Sequence, residues 1–338
     1  MEALPQPARI GDVAALAGVG EATVSRVLNG RANVRPATRE RVLEAIRTLD
    51  YRPSSVARNL SLGRSMVIAV VLPWFTHASA VERVRGIVAA VSGSPYDLMV
   101  FDVESEDRQR RAFELLDRGD RADGMLIVST VPPDPELDRL RAALMPCVLV
   151  DAFHTALPSV VVDDRAGGEM ATRHLIELGH RRIAFMGDTP PEFRFDWSRD
   201  RTRGYERALE RAGIEGRAEY VREGTRSLNV AQSIAMELLR LPDRPTAIFA
   251  ASDTQALGAL EAARSLGLRV PHELSVIGFD DIDVARYVGL TTVRQPLFES
   301  GRRGGELLLR ALDGRPPDVH SELLPLELIV RGTTGPAP

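Results

Sequence analysis

The sequence predicts two parts, a small all-α headpiece and a larger α/β body whose parallel sheets form two lobes. Residues 10–50 contain three short stretches with helical periodicity, separated by turn residues. From Val67 onward the pattern changes to short, continuous apolar runs, which are typical of strands buried on both faces of a parallel sheet. The remaining length exceeds one compact sheet, and we therefore expect two similar lobes with a cleft between them.

The charge of the chain is distributed unevenly. Residues 1–64 contain ten arginines and six acidic residues, a net charge of +4, whereas the whole chain of 338 residues carries −4. A basic head on an acidic body indicates that one part of the surface contacts phosphate groups. We expect a headpiece over residues 1–52, a hinge over 53–64 and a body over 65–338.

The composition disfavours several classes of protein and site. The sequence has no apolar run near the roughly 18 residues of a membrane-spanning helix, and its first residues lack the features of a signal peptide. We therefore expect a cytoplasmic protein with no membrane partner. Cys147 is the single cysteine, which excludes an internal disulfide. The histidines show no metal-ligand spacing and no GxSxG motif occurs, so we expect no metal, no cofactor and no catalytic residue.

The headpiece is predicted to contain three helices. Helical periodicity covers residues 10–17, 22–29 and 36–49. Gly18 falls in the first break, where the end of a helix favours a left-handed residue. Pro36 suits the first turn of the third helix, because that position needs no backbone N–H.

Residues 12–30 combine a helix, a turn that contains glycine and a second helix. This spacing is typical of a helix-turn-helix, whose second helix enters the major groove of DNA. The outward side chains of the second helix are mainly short polar groups with one arginine, which suit that groove. The alternative is the solvated face of an ordinary three-helix bundle. The outward residues are Glu21, Ala22, Thr23, Ser25, Arg26 and Asn29.

The body is predicted to consist of βαβ units. Its apolar runs are mostly separated by amphipathic stretches of helix length, and this alternation is typical of doubly wound sheets. Charged residues that directly follow such strands lie at the cleft, because the carboxyl ends of parallel strands open onto it. Asp151 and Asp280 each follow a run and could bind sugar hydroxyls. The runs cover residues 67–72, 98–101, 125–128, 147–150, 160–162, 183–186, 247–251 and 274–279.

Two segments of the headpiece resemble a known family. Residues 12–30, DVAALAGVGEATVSRVLNG, and residues 38–60, TRERVLEAIRTLDYRPSSVARNL, closely resemble the headpiece and hinge of lactose-repressor and galactose-repressor type regulators, the LacI/GalR family. The resemblance continues through the body, for example in FAASDTQALGALEAARSLGLRVPHELSVIGFDD. It implies a sequence-specific transcriptional repressor with a sensor like a periplasmic binding protein. It further implies a homodimer that binds double-stranded, pseudo-palindromic operator DNA under the control of a small effector, most simply a sugar.

The resemblance also implies roles for residues of the headpiece and hinge. Glu21, Ala22 and Arg26 would face base edges, and Leu60 in the hinge would wedge into a central base step of the minor groove. Tyr51 would pack near the DNA backbone. The chain departs from the family pattern at Arg9, Gly20 and Arg35, where a neutral helix cap is lost. Phosphate contacts are implied for Thr23, Ser25, Asn29 and Thr38.

Further residues are candidates for binding the effector. Arg201 lies where the family places a ligand-binding arginine, whose guanidinium can donate two parallel hydrogen bonds. Ser252 stands where many sugar-responsive members carry asparagine, so the identity of the effector is open. Aromatic residues in loops near the cleft could stack on a sugar, although ordinary packing is an equal alternative for each. These aromatic residues are Trp74, Phe75, Phe195 and Trp197.

The resemblance implies three chain crossings between the lobes, near Asp163, Thr291 and Leu324. Asp163 and Asp164 fit a crossing loop and a helix start better than a catalytic pair. A solute-binding protein and an enzyme are the two alternatives to a repressor. A solute-binding protein would need the sensor alone, and an enzyme would need an acid and a base in the cleft. Whether an effector releases or recruits DNA is left open by the sequence.

Overall fold

The computed structural model describes residues 8–28, 33–51, 64–116, 120–188, 196–225, 227–315 and 320–338, without the side chains of residues 196 and 197. The chain forms two compact units, Met1–Ser65 and Met66–Pro338. The hinge, predicted over residues 53–64, lies almost entirely outside the described residues. In the described part of the chain, no helix has both the length and the apolar character needed to cross a membrane.

The first unit contains the three predicted helices, α1 (Ile10–Ala17), α2 (Glu21–Leu28) and α3 (Pro36–Thr48). Gly18 ends α1 with a φ of +63°, the left-handed conformation that glycine adopts without strain. The three helices share one apolar core because each places aliphatic side chains on its inner face. The fully buried residues of this core include Val13, Val24 and Val42.

Helices α1 and α3 begin after arginine residues, Arg9 and Arg35, in place of a neutral capping residue. At α1 the Asp12 carboxylate accepts a hydrogen bond of 2.7 Å from the backbone N–H of Arg9. At α3 the side chain of Arg35 makes no capping hydrogen bond, and Pro36 occupies the first turn. Pro36 itself has no N–H to satisfy, so one of the unpaired donors of that helix end is removed.

The second unit contains two six-stranded sheets, and each sheet is the centre of one lobe. In lobe 1 the strand order is β11-β5-β4-β3-β1-β2, and all pairs are parallel. In lobe 2 the order is β12-β10-β9-β8-β6-β7, and only β12 is antiparallel to its neighbour. The strands are β1 (Val67–Leu72), β2 (Asp97–Asp102), β3 (Gly124–Val128), β4 (Cys147–Val150), β5 (Ser159–Val161), β6 (Ile183–Asp188), β7 (Val221–Gly224), β8 (Ala247–Ala250), β9 (Ser275–Asp280), β10 (Thr291–Arg294), β11 (Ser321–Leu323) and β12 (Glu327–Ile329).

All eight predicted apolar runs form strands, with end shifts of at most two residues. The prediction that these strands are buried is wrong for β2, which has no fully buried residue because it lies at the edge of its sheet. Four strands were missed: β7, β10, β11 and β12. Three of these lie at sheet edges, where polar side chains reach solvent. The fourth, β10, is interior, but its sequence TTVR does not read as an apolar run.

Helices cover both sheets and pack in close pairs. The nearest pairs bring backbone into contact with backbone through glycine: a Cβ at Gly301 would lie 1.9 Å from the carbonyl oxygen of Arg83. A Cβ at Gly204 would likewise lie 2.2 Å from the carbonyl oxygen of Arg165. The helices are α4 (Ala78–Val91), α5 (Glu106–Leu116), α6 (Asp134–Ala142), α7 (Asp164–Glu177), α8 (Asp196–Arg211), α9 (Leu228–Leu239), α10 (Asp253–Ser265), α11 (Asp283–Tyr287) and α12 (Leu297–Leu312).

The described segments of the second unit show three passages of the chain between the lobes. It leaves lobe 1 after β5, returns to it between β10 and α12, and passes from β11 to β12 in a short final crossing. The first and third crossings lie near Asp163 and Leu324, as predicted. The second was predicted near Thr291 but lies about Gln295, because Thr291–Arg294 pairs as a strand with β9 and β12 in lobe 2.

Candidate functional site

Helix α2 presents a polar face to solvent. Glu21, Ala22 and Arg26 are exposed, and Thr23 and Ser25 are half-buried. Val24 and Val27 hold the opposite face of α2 in the headpiece core, so the alternation of buried and exposed positions follows the helical period. The predicted groove-facing positions on α2 therefore share one side of the headpiece.

The structure describes only some of the other predicted DNA-binding residues. One Glu21 carboxylate oxygen lies 3.0 Å from where a Cβ of Gly11 would be, so this acid is close to α1. Thr38 is half-buried in the first turn of α3. Tyr51 is half-buried against the headpiece core. Asn29 and Leu60 lie outside the described residues.

The cleft of the second unit is built from residues at the carboxyl ends of strands. Ser129 follows β3, Asp151 follows β4, Asp280 ends β9 and Gln295 follows β10. The first three residues have positive φ values of 54°, 58° and 114°. Such backbone conformations are unusual for residues other than glycine and are concentrated at functional sites. The sheet topology thus brings together side chains that are far apart in sequence.

A chain of buried polar contacts joins the two lobes. An Arg83 guanidinium nitrogen lies 2.7 Å from an Asp151 carboxylate oxygen and donates to Gln295 Oε1 at 3.0 Å. Gln295 Nε2 in turn donates to Asp280 Oδ1 at 2.6 Å. Because Arg83 and Asp151 belong to lobe 1 and Asp280 belongs to lobe 2, Gln295 bridges the lobes at the second crossing.

Arg201 lies on the lobe 2 side of this network and is only 1% exposed. Its Nε donates to Asp164 Oδ1 at 2.8 Å, and a terminal nitrogen donates to the Ala251 carbonyl oxygen at 2.6 Å. The Asp280 carboxylate is 3.8 Å away, and the guanidinium lies 3.7 Å from the centre of the Phe279 ring. These contacts hold the arginine in one orientation.

Burial raises the pKa values of two carboxyl groups in the second unit. Desolvation raises the pKa of Asp164 to about 7, with Arg201 opposing the rise and Asp151 adding to it. Desolvation also raises the pKa of Asp253 well above its ordinary value. Asp253 accepts hydrogen bonds from the Thr292 hydroxyl at 2.6 Å and the Ile282 N–H at 2.8 Å. It thereby supports the turn that follows Asp280.

Two neighbouring spaces lie in the cleft and share Ser129 and Asp151 in their walls. The outer chamber has a volume of about 530 Å³, which is within the range of small-molecule sites. The inner chamber has a volume of about 20 Å³, enough for one water-sized group. The outer chamber is also lined by Thr130, Phe153, Asp163, Asp164, Arg165, Asp200 and Arg203, and the inner one by Trp74, His77, Arg83, Arg201, Asp280 and Gln295.

The structure therefore groups four predicted effector residues at the inner chamber: Trp74, Asp151, Arg201 and Asp280. Trp74 stacks on His77, with ring centres 5.7 Å apart and planes 19° from parallel. Phe75 is 38% exposed and is not part of the walls of either chamber in the described residues. Phe195 lies outside the described residues, as does the side chain of Trp197.

Ser252 has a local structural role. Its hydroxyl caps α10 by accepting from the Gln255 N–H at 3.3 Å, and it lies 3.1 Å from Gln255 Oε1, to which it donates. Among the described residues, it lines neither chamber. Asp163 similarly caps α7 by accepting from the Ala166 N–H at 2.9 Å, which agrees with the structural reading of that acid. Effector contact by Ser252 stays a prediction.

Sequence reasoning missed Arg83 and Gln295. Arg83 could have been noticed, because it falls three residues after Ala80 and four before Ile87 on the apolar face of a helix. Gln295 directly follows a strand that the apolar pattern did not reveal. Within the described ranges, no group of three or more His, Cys, Asp or Glu residues is placed to hold a metal ion.

Comparisons with known proteins agree with this architecture. Residues 9–54 match the model of bacterial regulatory proteins of the lacI family, and residues 172–334 match a periplasmic binding protein-like domain. The HTH-type transcriptional repressor CytR of Escherichia coli K12 is 36% identical over 336 residues, covering 98% of this chain and 97% of the relative. Catabolite control protein A of Priestia megaterium is 33% identical over 331 residues, with coverages of 96% and 98%. These relatives are named as regulators, not enzymes.

Solved structures extend the likeness to three dimensions. A lac repressor dimer bound to operator and the anti-inducer ONPF has a TM-score of 0.84 at 29% identity, covering 98% of this chain and 100% of that one. A transcriptional regulator CelR–cellobiose complex has a TM-score of 0.71 at 33% identity, covering 96% and 99%. The sequence match and the fold extend over both units of the chain. The chain therefore belongs to the lacI family of bacterial regulatory proteins.

Proposed function

We propose that the chain is a cytoplasmic transcriptional repressor that binds an operator through its headpiece and a small effector through the cleft. The observation that carries this proposal is the presence, in one chain, of a helix-turn-helix with a polar outer face and a two-lobed cleft crossed by buried polar contacts. The headpiece would read DNA, and the lobes would respond to the effector. Residues 53–64 would connect these two activities as a hinge.

On the DNA side, α2 lies in the major groove. Arg26 donates to base edges because its guanidinium can form two parallel hydrogen bonds with guanine, and Glu21 and Ala22 face neighbouring base edges. Leu60 wedges into the minor groove from the hinge. Phosphate contacts position the helix without reading sequence. They come from Thr23, Ser25, Asn29 and Thr38, with Tyr51 beside the backbone.

On the effector side, Asp151 and Asp280 accept hydrogen bonds from hydroxyl groups and Arg201 donates to the ligand. Trp74 offers an aromatic face, while Phe75, Phe195, Trp197 and Ser252 complete the proposed contacts. A sugar suits this set, because it combines hydroxyl groups with apolar ring faces. Solved structures with cellobiose or ribose bound, similar to this chain, support the choice.

The repressor acts as a homodimer on a pseudo-palindromic operator. Two identical headpieces related by a two-fold axis require two half-sites with the same symmetry. The similar lac repressor structure bound to an operator is a dimer, which supports this assembly.

The experiment that tests the proposal is selection of bound sequences from random duplex DNA at two salt concentrations. Phosphate attraction weakens steeply with salt, whereas readout of bases keeps its sequence preference. Enrichment of one palindrome at both concentrations is expected. No enrichment at either concentration would contradict sequence-specific binding by this chain.

Replacing Arg26 is expected to weaken and broaden DNA recognition. The Arg26→Ala protein should lose about 1–3 kcal/mol of discrimination at the base that Arg26 contacts. Titration of the selected operator and of single-base variants measures the loss. Arg47→Ala is the matched control, because Arg47 is exposed on α3 and pairs with Glu44. Equal base preference in the wild type and Arg26→Ala would refute the assignment.

A further inference from the structure

The buried side chain of Arg83 has one donor for which the described part of the chain supplies no acceptor. Its side chain is 4% exposed, and one terminal nitrogen contacts both Asp151 and Gln295. The Nε–H group is buried and has no hydrogen-bond partner among the residues that the structure describes. A buried donor without an acceptor is unfavourable, and such groups in native proteins call for an explanation. A ligand atom is one way to satisfy it.

The backbone of Arg83 cannot easily move to bring its Nε–H group to another acceptor. A Cβ added to Gly301 would lie only 1.9 Å from the Arg83 carbonyl oxygen. Helices α4 and α12 therefore touch at this residue, and any displacement of Arg83 along α4 would disturb α12. The guanidinium is held at its other end by Asp151 and Gln295.

The space beside Arg83 limits what can reach it. Arg83 lines the inner chamber, whose volume of about 20 Å³ admits one water-sized group. The outer chamber, with about 530 Å³, can hold the rest of a ligand, and the two spaces share Ser129 and Asp151. A hydroxyl or carbonyl oxygen fits the inner chamber, whereas a phosphate group, with its four oxygens, does not.

The charges of the described cleft residues disfavour an anionic ligand. Arg165 and Arg203, which line the outer chamber, both pair with Asp200. Arg83 and Arg201 are paired with buried carboxylates in the same way. A phosphate monoester entering the outer chamber would also face the carboxylates of Asp151 and Asp163. Like charges repel each other, most strongly where water is excluded.

We propose that Arg83 determines effector specificity by requiring an uncharged ligand that places one hydroxyl or carbonyl oxygen in the inner chamber. That oxygen accepts a hydrogen bond from Arg83 Nε, while the remainder of the ligand occupies the outer chamber. This inference rests on the proposed function and deepens it. It separates neutral polyhydroxylated effectors from their phosphorylated forms.

Calorimetric titration of the full chain with ribose, glucose, adenosine, cellobiose and the phosphate monoesters of the first three tests the inference. At least one neutral compound is expected to bind, with its monoester at least about tenfold weaker. Arg83→Lys keeps a positive charge beside Asp151 but loses the Nε donor. It should bind the neutral compound about 10- to 100-fold more weakly. Arg85→Met is the control, because Arg85 is exposed on the same helix and pairs with Glu82.

Three outcomes would overturn the inference: tighter binding of a monoester, equal affinity in Arg83→Lys, or binding of none of the neutral compounds. The comparison of a neutral compound with its monoester uses the wild-type chain alone. This test therefore remains valid even if a variant fails to fold. Operator affinity is measured in parallel. If the selected operator is bound and released equally by the wild type and Arg83→Lys, only this inference fails. If no operator is bound, the proposed function fails.

Discussion

At the scale of single residues, the cleft depends on charged side chains that water does not reach. Arg201 and Asp164 form a pair whose members are almost fully buried. Removing charges from water is costly, and the cost is offset only when each charge has a well-placed partner. Asp164 remains difficult to ionise in spite of Arg201, because desolvation outweighs the attraction of the guanidinium for its charge. Its titration therefore occurs in the neutral pH range.

The raised pKa of Asp164 predicts a pH dependence of stability. Folded Asp164 holds its proton up to a pH of about 7, whereas the unfolded carboxyl releases it near its ordinary value of 3.8. The stabilisation by the bound proton is complete below the lower value and is lost as the pH rises through the upper one. The stability of the wild type relative to Asp164→Asn should therefore fall between these two pH values. Urea denaturation at a series of pH values measures it, and parallel curves would contradict the assignment.

At the scale of helices and strands, glycine decides how closely α4 and α12 pack. Gly86 and Gly301 lie where each helix meets the backbone of the other. Side chains at these positions would separate the helices. Because α12 starts immediately after the second crossing and α4 carries Arg83, the contact also positions both ends of the Arg83–Gln295 hydrogen bond.

Gly301→Ala is expected to destabilise the second unit. The added Cβ would lie 1.9 Å from the Arg83 carbonyl oxygen, and such overpacking costs about 1–3 kcal/mol or more. Without that clash, alanine would stabilise a helix interior by about 1 kcal/mol. The sign of the change in the free energy of unfolding therefore shows whether the clash occurs. Chemical denaturation measures the free energy of unfolding. Gly216→Ala is the control, since no described atom beyond its two chain neighbours lies within 4 Å of its Cβ position.

At the scale of the whole molecule, all the described cleft residues belong to the second unit. Both sheets, the three crossings and both chambers lie within Met66–Pro338. The headpiece has its own core of aliphatic residues. Each unit thus has the internal packing that an independently folding domain needs.

A fragment of residues 66–338 should fold without the headpiece. We expect a cooperative thermal transition, because its buried cores and ion pairs are complete within the fragment. It should not bind the operator that the full chain selects, since α2 is absent. Circular dichroism and a DNA titration measure these properties, with the full chain as control. Operator binding by the fragment would contradict the role of the headpiece.

The candidate site was partly predictable from the sequence. Asp151 and Asp280 follow apolar runs, and the rule that strand ends face the cleft placed both acids correctly. Arg201 came from the family resemblance alone. Arg83 and Gln295 escaped because they are 212 residues apart, and no local pattern connects them. Of the predicted aromatic contacts, Trp74 lines the inner chamber, whereas Phe75 lies outside the chamber walls formed by the described residues.

The sequence by itself determined the three helices of the headpiece, eight of the strands and the division into a basic head and an acidic body. These features depend on periodicity, turn residues and charge, which act over a few neighbouring residues. Only the tertiary structure decided the antiparallel direction of β12, the position of the second crossing and the polar chain from Asp151 to Asp280. Those features depend on which distant segments pack together, and packing follows from the shape of the whole molecule.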